Sequence, residues 1–396
     1  MKIAVYICVL IFGDLMLLTA CRKPYIPPAI TVNSNYLVVE GLINTGQDST
    51  IIKLSRTVMI SSTIGIKAEL NASVIVESDA NASYPLTETG NGTYSAPALN
   101  LSASNKYRLK IVTSDNKTYR SDFVPVKNSP PIDSVYYLVK SNGVQINVDS
   151  HDQSNNTRYY RWDFNDTWII HSAFESYAEV SHFPKDTILY RPDADQIYTC
   201  WINGTSNTIN LGSTATLSQD VTTNNEISFI SSTSEKLGSR YSILVKQYAI
   251  TKDAFDYWQL LKNNTEQLGS IFDPLPSTTT GNIHCITNPS EPVIGYISAG
   301  SYSQKRIFID NYNLPAWRPI TPNAGCKMDS VYLSNAITKN NDVAAYIYSG
   351  SQIPILALYV IKDNHGVIVG YTGSIPSCVD CTLRGTNKQP TFWINR

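Results

Sequence analysis

The chain has 396 residues, a formal net charge of −1 and 16% charged residues, and it contains 25 tyrosines. A charge balance this close to neutral gives no electrostatic basis for binding nucleic acid, so we expect no nucleic-acid partner. The length leaves room for two or three domains, and the composition, rich in Tyr, Ser, Thr and Asn, is typical of an extracytoplasmic β-protein.

The N-terminus carries the pattern of a bacterial lipoprotein signal. A short positive start precedes an apolar run over residues 3–12, and Leu18-Thr19-Ala20-Cys21 places small residues before a cysteine. Asp14 interrupts the apolar stretch, whereas a membrane-spanning helix needs about 20 apolar residues. We therefore predict that residues 1–20 are a signal peptide and that Cys21 is lipidated. An ordinary secretory peptide with an incidental cysteine is the alternative.

The residues after the predicted cleavage site indicate where the protein is located in the cell. Residues 21–30 combine the lipidated cysteine with a Pro-rich tether, which acts as a semi-stiff spacer. Arg22, where inner-membrane lipoproteins carry Asp, favours the outer membrane, and acyl chains hold such a protein durably. The sequence leaves open whether the protein faces the periplasm or the outside.

Residues 31–127 are predicted to form an N-terminal β-sandwich of immunoglobulin or transthyretin-like type. Short alternating apolar and polar runs are separated by Asn, Gly, Asp and Ser turns, which is the pattern of half-buried antiparallel strands. The predicted strands are 36–43, 51–56, 72–76, 92–95, 106–112 and 117–121.

Prolines between Val124 and Pro131 mark a boundary, because consecutive prolines cannot pair inside a central strand. Residues 131–396 are then predicted to be a second β-rich domain, which makes the whole chain a mainly β, tandem-sandwich protein. Its predicted strands are 132–137, 144–149, 158–164, 197–201, 226–230, 241–245, 344–348, 355–361 and 367–371.

One helix, over about residues 252–268, is predicted to be inserted between strands of the second domain. Thr251 is a suitable N-cap, and an acidic residue in the first turn suits the helix dipole. Four apolar residues recur at roughly helical spacing and predict the buried face. These residues are Phe255, Trp258, Leu261 and Leu268.

The cysteines outside the signal predict disulfides, since an oxidising compartment pairs thiols and an odd count leaves one over. The candidates are Cys200, Cys285, Cys326, Cys378 and Cys381. We expect Cys200 to pair with Cys285, and Cys326 to pair with either Cys378 or Cys381. The Cys378-x-x-Cys381 spacing could also bind metal or exchange thiols, but a second such pair is missing, so a structural disulfide is favoured.

Catalytic and metal-binding patterns are weak. The sequence has no G-x-S-x-G elbow, and its five histidines are scattered, so a hydrolytic triad has no support. Two aspartate pairs lie in loops that could hold calcium, but both lack the remaining ligand pattern, and we predict no metal and no cofactor. The residues concerned are His151, His171, His182, His284 and His365, together with Asp149, Asp152, Asp193 and Asp195.

Aromatic side chains are the remaining candidates for binding a sugar or a peptide. Alternating aromatics in strands more often belong to the core, so a binding role is the less favoured interpretation for each. The candidates are Tyr159, Tyr160, Trp162, Trp168, Trp201, Tyr257 and Trp258.

Several phrases together resemble the Bacteroidota domain-of-unknown-function family 4249 (DUF4249). They include YLVVEGLIN at 36–44, RYYRWDFNDTW at 158–168, RYSILVKQYAIT at 240–251 and YWQLLKNNTEQLGSIFDPLP at 257–276, with CVDCTLRGT near the end. The resemblance covers nearly all of the chain after the signal and carries no catalytic residues with it. It implies an outer-membrane lipoprotein, often encoded beside a TonB-dependent receptor.

The sequence and the resemblance together favour a non-catalytic, lipid-anchored module of the outer membrane. We expect it to bind a TonB-dependent receptor or a ligand delivered to that receptor. A surface adhesin or glycan-binding lipoprotein is the alternative, and a hydrolase using an unrecognised carboxylate pair comes third.

Overall fold

The computed structural model describes residues 35–58, 65–183, 185–266 and 281–394. The predicted signal peptide, Cys21 and the tether lie outside these residues. The chain is mainly β, with 48% strand and 11% helix, which confirms the predicted class. None of the helices in the described ranges is long and apolar enough to cross a membrane.

The described strands are, in chain order, β1 (Leu37–Asn44), β2 (Thr50–Arg56), β3 (Lys67–Ala68), β4 (Ser73–Ser78), β5 (Ser83–Gly90), β6 (Thr93–Ala96), β7 (Lys106–Val112), β8 (Thr118–Ser121), β9 (Val124–Pro125), β10 (Ile132–Lys140), β11 (Gly143–His151), β12 (Tyr159–His171), β13 (Ala178–Ser181), β14 (Thr187–Tyr190), β15 (Thr199–Thr205), β16 (Asn210–Ser213), β17 (Val221–Ser231), β18 (Arg240–Ala249), β19 (Ile283–Cys285), β20 (Val293–Ile294), β21 (Ser298–Gly300), β22 (Tyr302–Asp310), β23 (Asp329–Tyr332), β24 (Ile353–Lys362) and β25 (His365–Ser374). The α-helices are α1 (Lys252–Glu266) and α2 (Pro376–Val379). Single turns of 3-10 helix occur at Asp193–Asp195, Glu235–Leu237, Asn311–Asn313 and Cys381–Leu383, and a π-helix spans Val343–Tyr348.

The first sheet has twelve strands in the order β19-β8-β7-β4-β5-β6-β2-β1-β20, with β21 on β1, β3 on β2 and β9 on β7. Inward side chains alternate along its strands, as in Leu37 and Val39 of β1, and they form one buried core. Asn71, Asn81 and Asn91 adopt positive φ in its turns, a conformation that asparagine tolerates better than most residues.

Residues 283–300 complete this first sheet, although they follow the helix in the chain. β19 pairs with β8, while β20 and β21 pair with β1 in parallel. The two ends of the sheet are therefore formed by chain neighbours, and the sheet is nearly closed. The predicted boundaries at residues 127 and 131 stay predictions, but the first core draws on residues far beyond both.

A second core lies between two smaller sheets. The three-stranded sheet has the order β10-β11-β17, and the five-stranded sheet has the order β15-β12-β18-β22 with β16 also on β12. Tyr160, Trp162 and Phe164 point into this core from β12. Gln247 is fully buried beside them and accepts a hydrogen bond from Trp162 Nε1 at 2.9 Å.

The C-terminal part is a three-stranded sheet, β23-β25-β24, accompanied by the β13–β14 hairpin. Two of the predicted strands agree with β24 and β25. The third, over residues 344–348, is wrong, because Val343–Tyr348 is a π-helix whose Val343 and Ile347 are buried one turn apart. A short apolar run of this kind fits a strand and a helical turn equally well.

The helix α1 begins where it was predicted. The backbone amide of Ala254 donates to Thr251 Oγ1 at 3.2 Å, which is the expected N-cap bond. The predicted buried face is wrong, because Ala254 and Tyr257 are the buried residues, while Phe255, Trp258 and Leu261 are half-buried. The predicted end at Leu268 lies outside the described residues.

Candidate functional site

A cleft of about 510 Å³ lies where the first sheet meets the outer face of the five-stranded sheet, and we name it the junction cleft. Its walls carry aromatic, charged and amide side chains. Its lining residues are Val39, Glu40, Gly41, Leu42, Asn44, Ser49, Ile51, Lys53, Arg161, Asp163, Phe164, Asn165, Thr205, Ser206, Lys246, Tyr248, Trp258, Tyr296 and Tyr302. The volume is in the range of small-ligand sites, which often lie between structural units.

Strand alternation explains which side chains reach the junction cleft. On β12 the residues between the buried aromatics, Arg161 and Asp163, point away from the second core. On β18 the same alternation buries Val245 and turns Lys246 and Tyr248 outward. Because successive side chains of a strand point to opposite faces, a wall rich in polar groups lies directly behind an apolar core.

Arg161 is held between two aromatic rings. Its guanidinium carbon lies 4.4 Å from the centre of the Trp258 ring and 4.8 Å from the centre of the Tyr248 ring. One guanidinium nitrogen donates to Asp163 Oδ2 at 3.0 Å. The cation–π contacts and the ion pair orient the arginine before any ligand arrives, and most of its five N–H donors stay available.

Opposite charges face each other across neighbouring strands on both walls. Glu40 is opposite Lys53 in the β1–β2 register, and Asp163 is opposite Lys246 in the β12–β18 register. The second carboxylate oxygen, Asp163 Oδ1, is buried and makes no hydrogen bond to a described residue. A buried acceptor of this kind needs a donor, and the neighbouring Tyr248 hydroxyl, which is within hydrogen-bonding reach of the Asp163 carboxylate, is placed to supply it.

Two phenols of the junction cleft keep their protons at neutral pH. Burial, followed by the negative charge of Asp163, raises the pKa of Tyr248. Burial and the hydrogen bond to Asp48 raise the pKa of Tyr302 to about 12. The Tyr302 hydroxyl donates to Asp48 Oδ2 at 2.7 Å, so its ring is fixed at the rim.

The structure separates the predicted aromatic candidates. Trp258 lines the junction cleft, whereas Tyr160, Trp162, Trp201 and Tyr257 are buried in the protein interior. Tyr159 packs on Phe255, and Trp168 lies under the Lys236 ammonium. Sequence reasoning missed Arg161, Tyr248, Tyr296 and Tyr302, although the outward positions between buried strand aromatics were a usable signal.

The histidines stay scattered. Each one bonds to a local partner: His151 to Asp133, His171 to Thr199, His182 to Asp186, His284 to Asp122, and His365 to the Asp363 carbonyl.

The calcium candidates also have local roles. Asp152 accepts from the amides of Ser154, Asn156 and Thr157, and Asp149 accepts from Ser134 and Asn224. Asp193 and Asp195 belong to a single 3-10 turn. In the described ranges no group of three or more His, Cys, Asp or Glu side chains is placed to hold a metal ion.

The cysteines of the described ranges form two disulfides. Cys200 is bonded to Cys381 and Cys326 to Cys378, each with Cα atoms 5.7 Å apart, and Cys285 is a buried free thiol. The expected Cys200–Cys285 bond is wrong, because Cys285 lies on β19 in the first core and Cys200 lies on β15 beside the chain end. The Cys326–Cys378 bond is one of the two pairings anticipated.

A second surface feature is the outer half of the β24–β25 hairpin, residues 356–368, which we name the apolar hairpin. Ile361, Tyr359 and Val360 are 81%, 64% and 51% exposed. Val360 is opposite Val367 and Tyr359 is opposite Ile368 in the register. Since neighbouring residues of a strand point to opposite faces, apolar side chains cover both faces of this hairpin.

These features define a mainly β protein with two larger buried cores, a disulfide-bonded C-terminal part, a polar and aromatic cleft, and an exposed apolar hairpin. The family model described as Domain of unknown function (DUF4249) matches residues 22–306, well over half of the chain. The chain therefore belongs to the DUF4249 family. No curated protein matches the chain.

Proposed function

We propose that this protein is a non-catalytic accessory lipoprotein of the outer membrane, and that it works by docking to a TonB-dependent receptor. The observation that carries the proposal is the apolar hairpin. Soluble proteins rarely expose a contiguous apolar patch unless a partner covers it. A hairpin that is apolar on both faces suits insertion between two surfaces of a partner more than contact with one flat surface.

The location is argued from the N-terminus. The lipobox ending at Cys21 and the Arg22 that follows it favour an anchor in the outer membrane, with residues 21–30 as the tether. The fold above this tether is, on our proposal, a pair of immunoglobulin or transthyretin-like sandwiches. Two stacked sheets around the second core and a nearly closed first sheet support that interpretation.

The anchor has its own test, which is mass spectrometry of the native protein purified from membranes. We expect the mature chain to begin at a diacylated Cys21, and a Cys21→Ala variant to be lost from the outer-membrane fraction. An unmodified N-terminus, or a soluble pool of the wild-type protein, would contradict the anchored state.

The docking role is tested by affinity purification from detergent-solubilised outer membranes. We expect the wild-type protein to recover a β-barrel receptor. The double variant Tyr359→Ser/Ile361→Ser should recover at least about tenfold less, because central apolar residues carry most of an interface's energy.

A matched control uses exposed apolar residues outside the hairpin. Ile337 is 90% exposed and Tyr190 is 69% exposed, so Ile337→Ser/Tyr190→Ser removes comparable apolar surface. This control should recover the receptor as the wild type does. Recovery of the wild-type lipoprotein alone, or equal losses for the two double variants, would refute the docking role.

A further inference from the structure

We propose that the junction cleft binds a neutral carbohydrate, at a site formed jointly by the first sheet, the five-stranded sheet and the helix α1. This inference is independent of the docking role, because the cleft and the apolar hairpin have no residue in common. It goes beyond that role by assigning a ligand class to a particular surface.

The charges of the cleft favour an uncharged ligand. Lys53, Arg161 and Lys246 are nearly balanced by Glu40 and Asp163 within the same cleft. A strongly ionic ligand would meet both attraction and repulsion. A sugar instead offers many hydroxyl groups, each of which donates and accepts, so it can satisfy carboxylates and cations side by side.

Prepositioned groups suit a sugar ring. Arg161 keeps free N–H donors while Trp258 and Tyr248 hold its plane. Half-buried aromatic rings, among them Tyr296 and Tyr302, offer apolar surface to the C–H face of a pyranose. Groups already fixed before binding lower the entropy cost of association.

The walls of the cleft disfavour an extended peptide. Both walls are faces of sheets, and β1 and β12, which supply much of the lining, each pair with neighbours on both sides. The edge strands β15 and β22 contribute only their end residues Thr205 and Tyr302. Most of the main-chain groups of β1 and β12 are therefore occupied by the ladders. A peptide that binds by adding a strand needs a free strand edge, which these central strands do not offer.

The experiment measures binding of the intact protein to maltohexaose, cellohexaose, xylohexaose, mannohexaose and chitohexaose by calorimetry and tryptophan fluorescence. We expect at least one of these sugars to bind the wild-type protein and to perturb the fluorescence. Trp258→Ala and Arg161→Ala should each weaken that binding by about tenfold, because the first removes the ring that orients the guanidinium and the second removes its N–H donors.

Two further variants keep the test sharp. Lys53 is exposed on the opposite wall, so Lys53→Ala should weaken binding about threefold without affecting folding. Arg108 is a matched control, because it stacks on Phe123 at 4.4 Å and pairs with Glu77 at 2.7 Å, away from the cleft. Arg108→Ala should bind sugar as the wild type does.

Three outcomes would overturn the proposal. The first is that none of the five sugars binds the wild-type protein. The second is that a sugar binds, but Lys53→Ala and a folded Trp258→Ala variant bind it as tightly as the wild-type protein does. The third is that hexapeptides bind at the cleft while the sugars do not. None of these outcomes bears on receptor recovery, so failure here is distinguishable from failure of the docking role.

Discussion

A single carboxylate, Glu291, joins the segment that closes the first sheet to the strands on which it rests. Its Oε1 accepts from the Tyr119 hydroxyl at 2.6 Å, and its Oε2 accepts from Lys117 Nζ at 2.7 Å. Arg56 lies 3.8 Å away and is itself paired with Glu69 at 2.5 Å. Because the Glu291 side chain is only 9% exposed, these charges are poorly screened by solvent.

The pH dependence of stability follows from this environment. Burial alone would raise the pKa of Glu291, but hydrogen bonds from Lys117 and Tyr119 outweigh it and hold the pKa below its ordinary value. Glu291 therefore contributes stability above the unfolded-state pKa of about 4.3, and this contribution is lost as the pH falls through the folded-state pKa.

We predict that Glu291→Gln lowers the free energy of unfolding by about 2 kcal/mol at neutral pH, since hydrogen bonds to a charged group are lost. The difference in the free energy of unfolding between the variant and the wild type should shrink below about pH 4, because the wild-type carboxylate becomes protonated. Urea unfolding at several pH values measures both. The exposed Glu226→Gln variant should differ little from the wild type, and a difference for Glu291→Gln that is independent of pH would contradict the prediction.

Among the structural elements, β20 is the one whose position depends most closely on a glycine. Gly295, just after β20, has φ of +138°, and a Cβ atom there would lie 2.2 Å from the Val39 carbonyl oxygen. Both the backbone conformation and the close approach to β1 therefore require glycine. This contact holds β20, at one end of the first sheet, against β1.

We predict that Gly295→Ala destabilises the protein by about 3 kcal/mol, because it combines an unfavourable φ with a steric clash. Gly90→Ala is the matched control, since Gly90 also has positive φ, +110°, but a Cβ atom added there would have no neighbour within 4 Å. The control should cost about 1 kcal/mol, and thermal or urea unfolding measures both. Equal losses of stability in the two variants would show that the close approach of Gly295 to β1 contributes nothing to stability.

For the molecule as a whole, the first core is discontinuous in sequence. Ile283, Val293 and Ile297 are buried in the core formed by residues 37–126. Without them, β1 and β8 would each lose a pairing neighbour, and apolar side chains would be left open to water. Burial of an aliphatic side chain contributes about 1.5–3 kcal/mol, so three such residues are a large part of a domain's marginal stability.

We predict that a fragment of residues 31–127 does not fold cooperatively by itself. The matched control is the same fragment joined through a flexible linker to residues 281–300, which should recover a cooperative transition. Far-UV circular dichroism during urea unfolding and the dispersion of amide resonances distinguish the two. A sharp transition in the shorter fragment would show that the predicted boundary at residue 127 delimits a complete domain.

Much of the secondary structure follows from the sequence alone, because it is local. The alternation along β12 and β18 identifies both strands, and the Thr251 hydroxyl marks the start of the helix. The same alternation also places Arg161 and Tyr248 at outward positions between buried residues. The lipobox is also local, and lipidation of Cys21 stays a prediction from sequence.

Only the tertiary structure decided how these elements combine. The pairing of β19 and β20 with β8 and β1, the Cys200–Cys381 bond and the assembly of the junction cleft all join residues far apart in the chain. The two-residue period of a strand shows which of its side chains share a face. It does not show which strands are neighbours in a sheet. That choice depends on packing and closure of the whole sheet, and so it cannot be derived from any one segment.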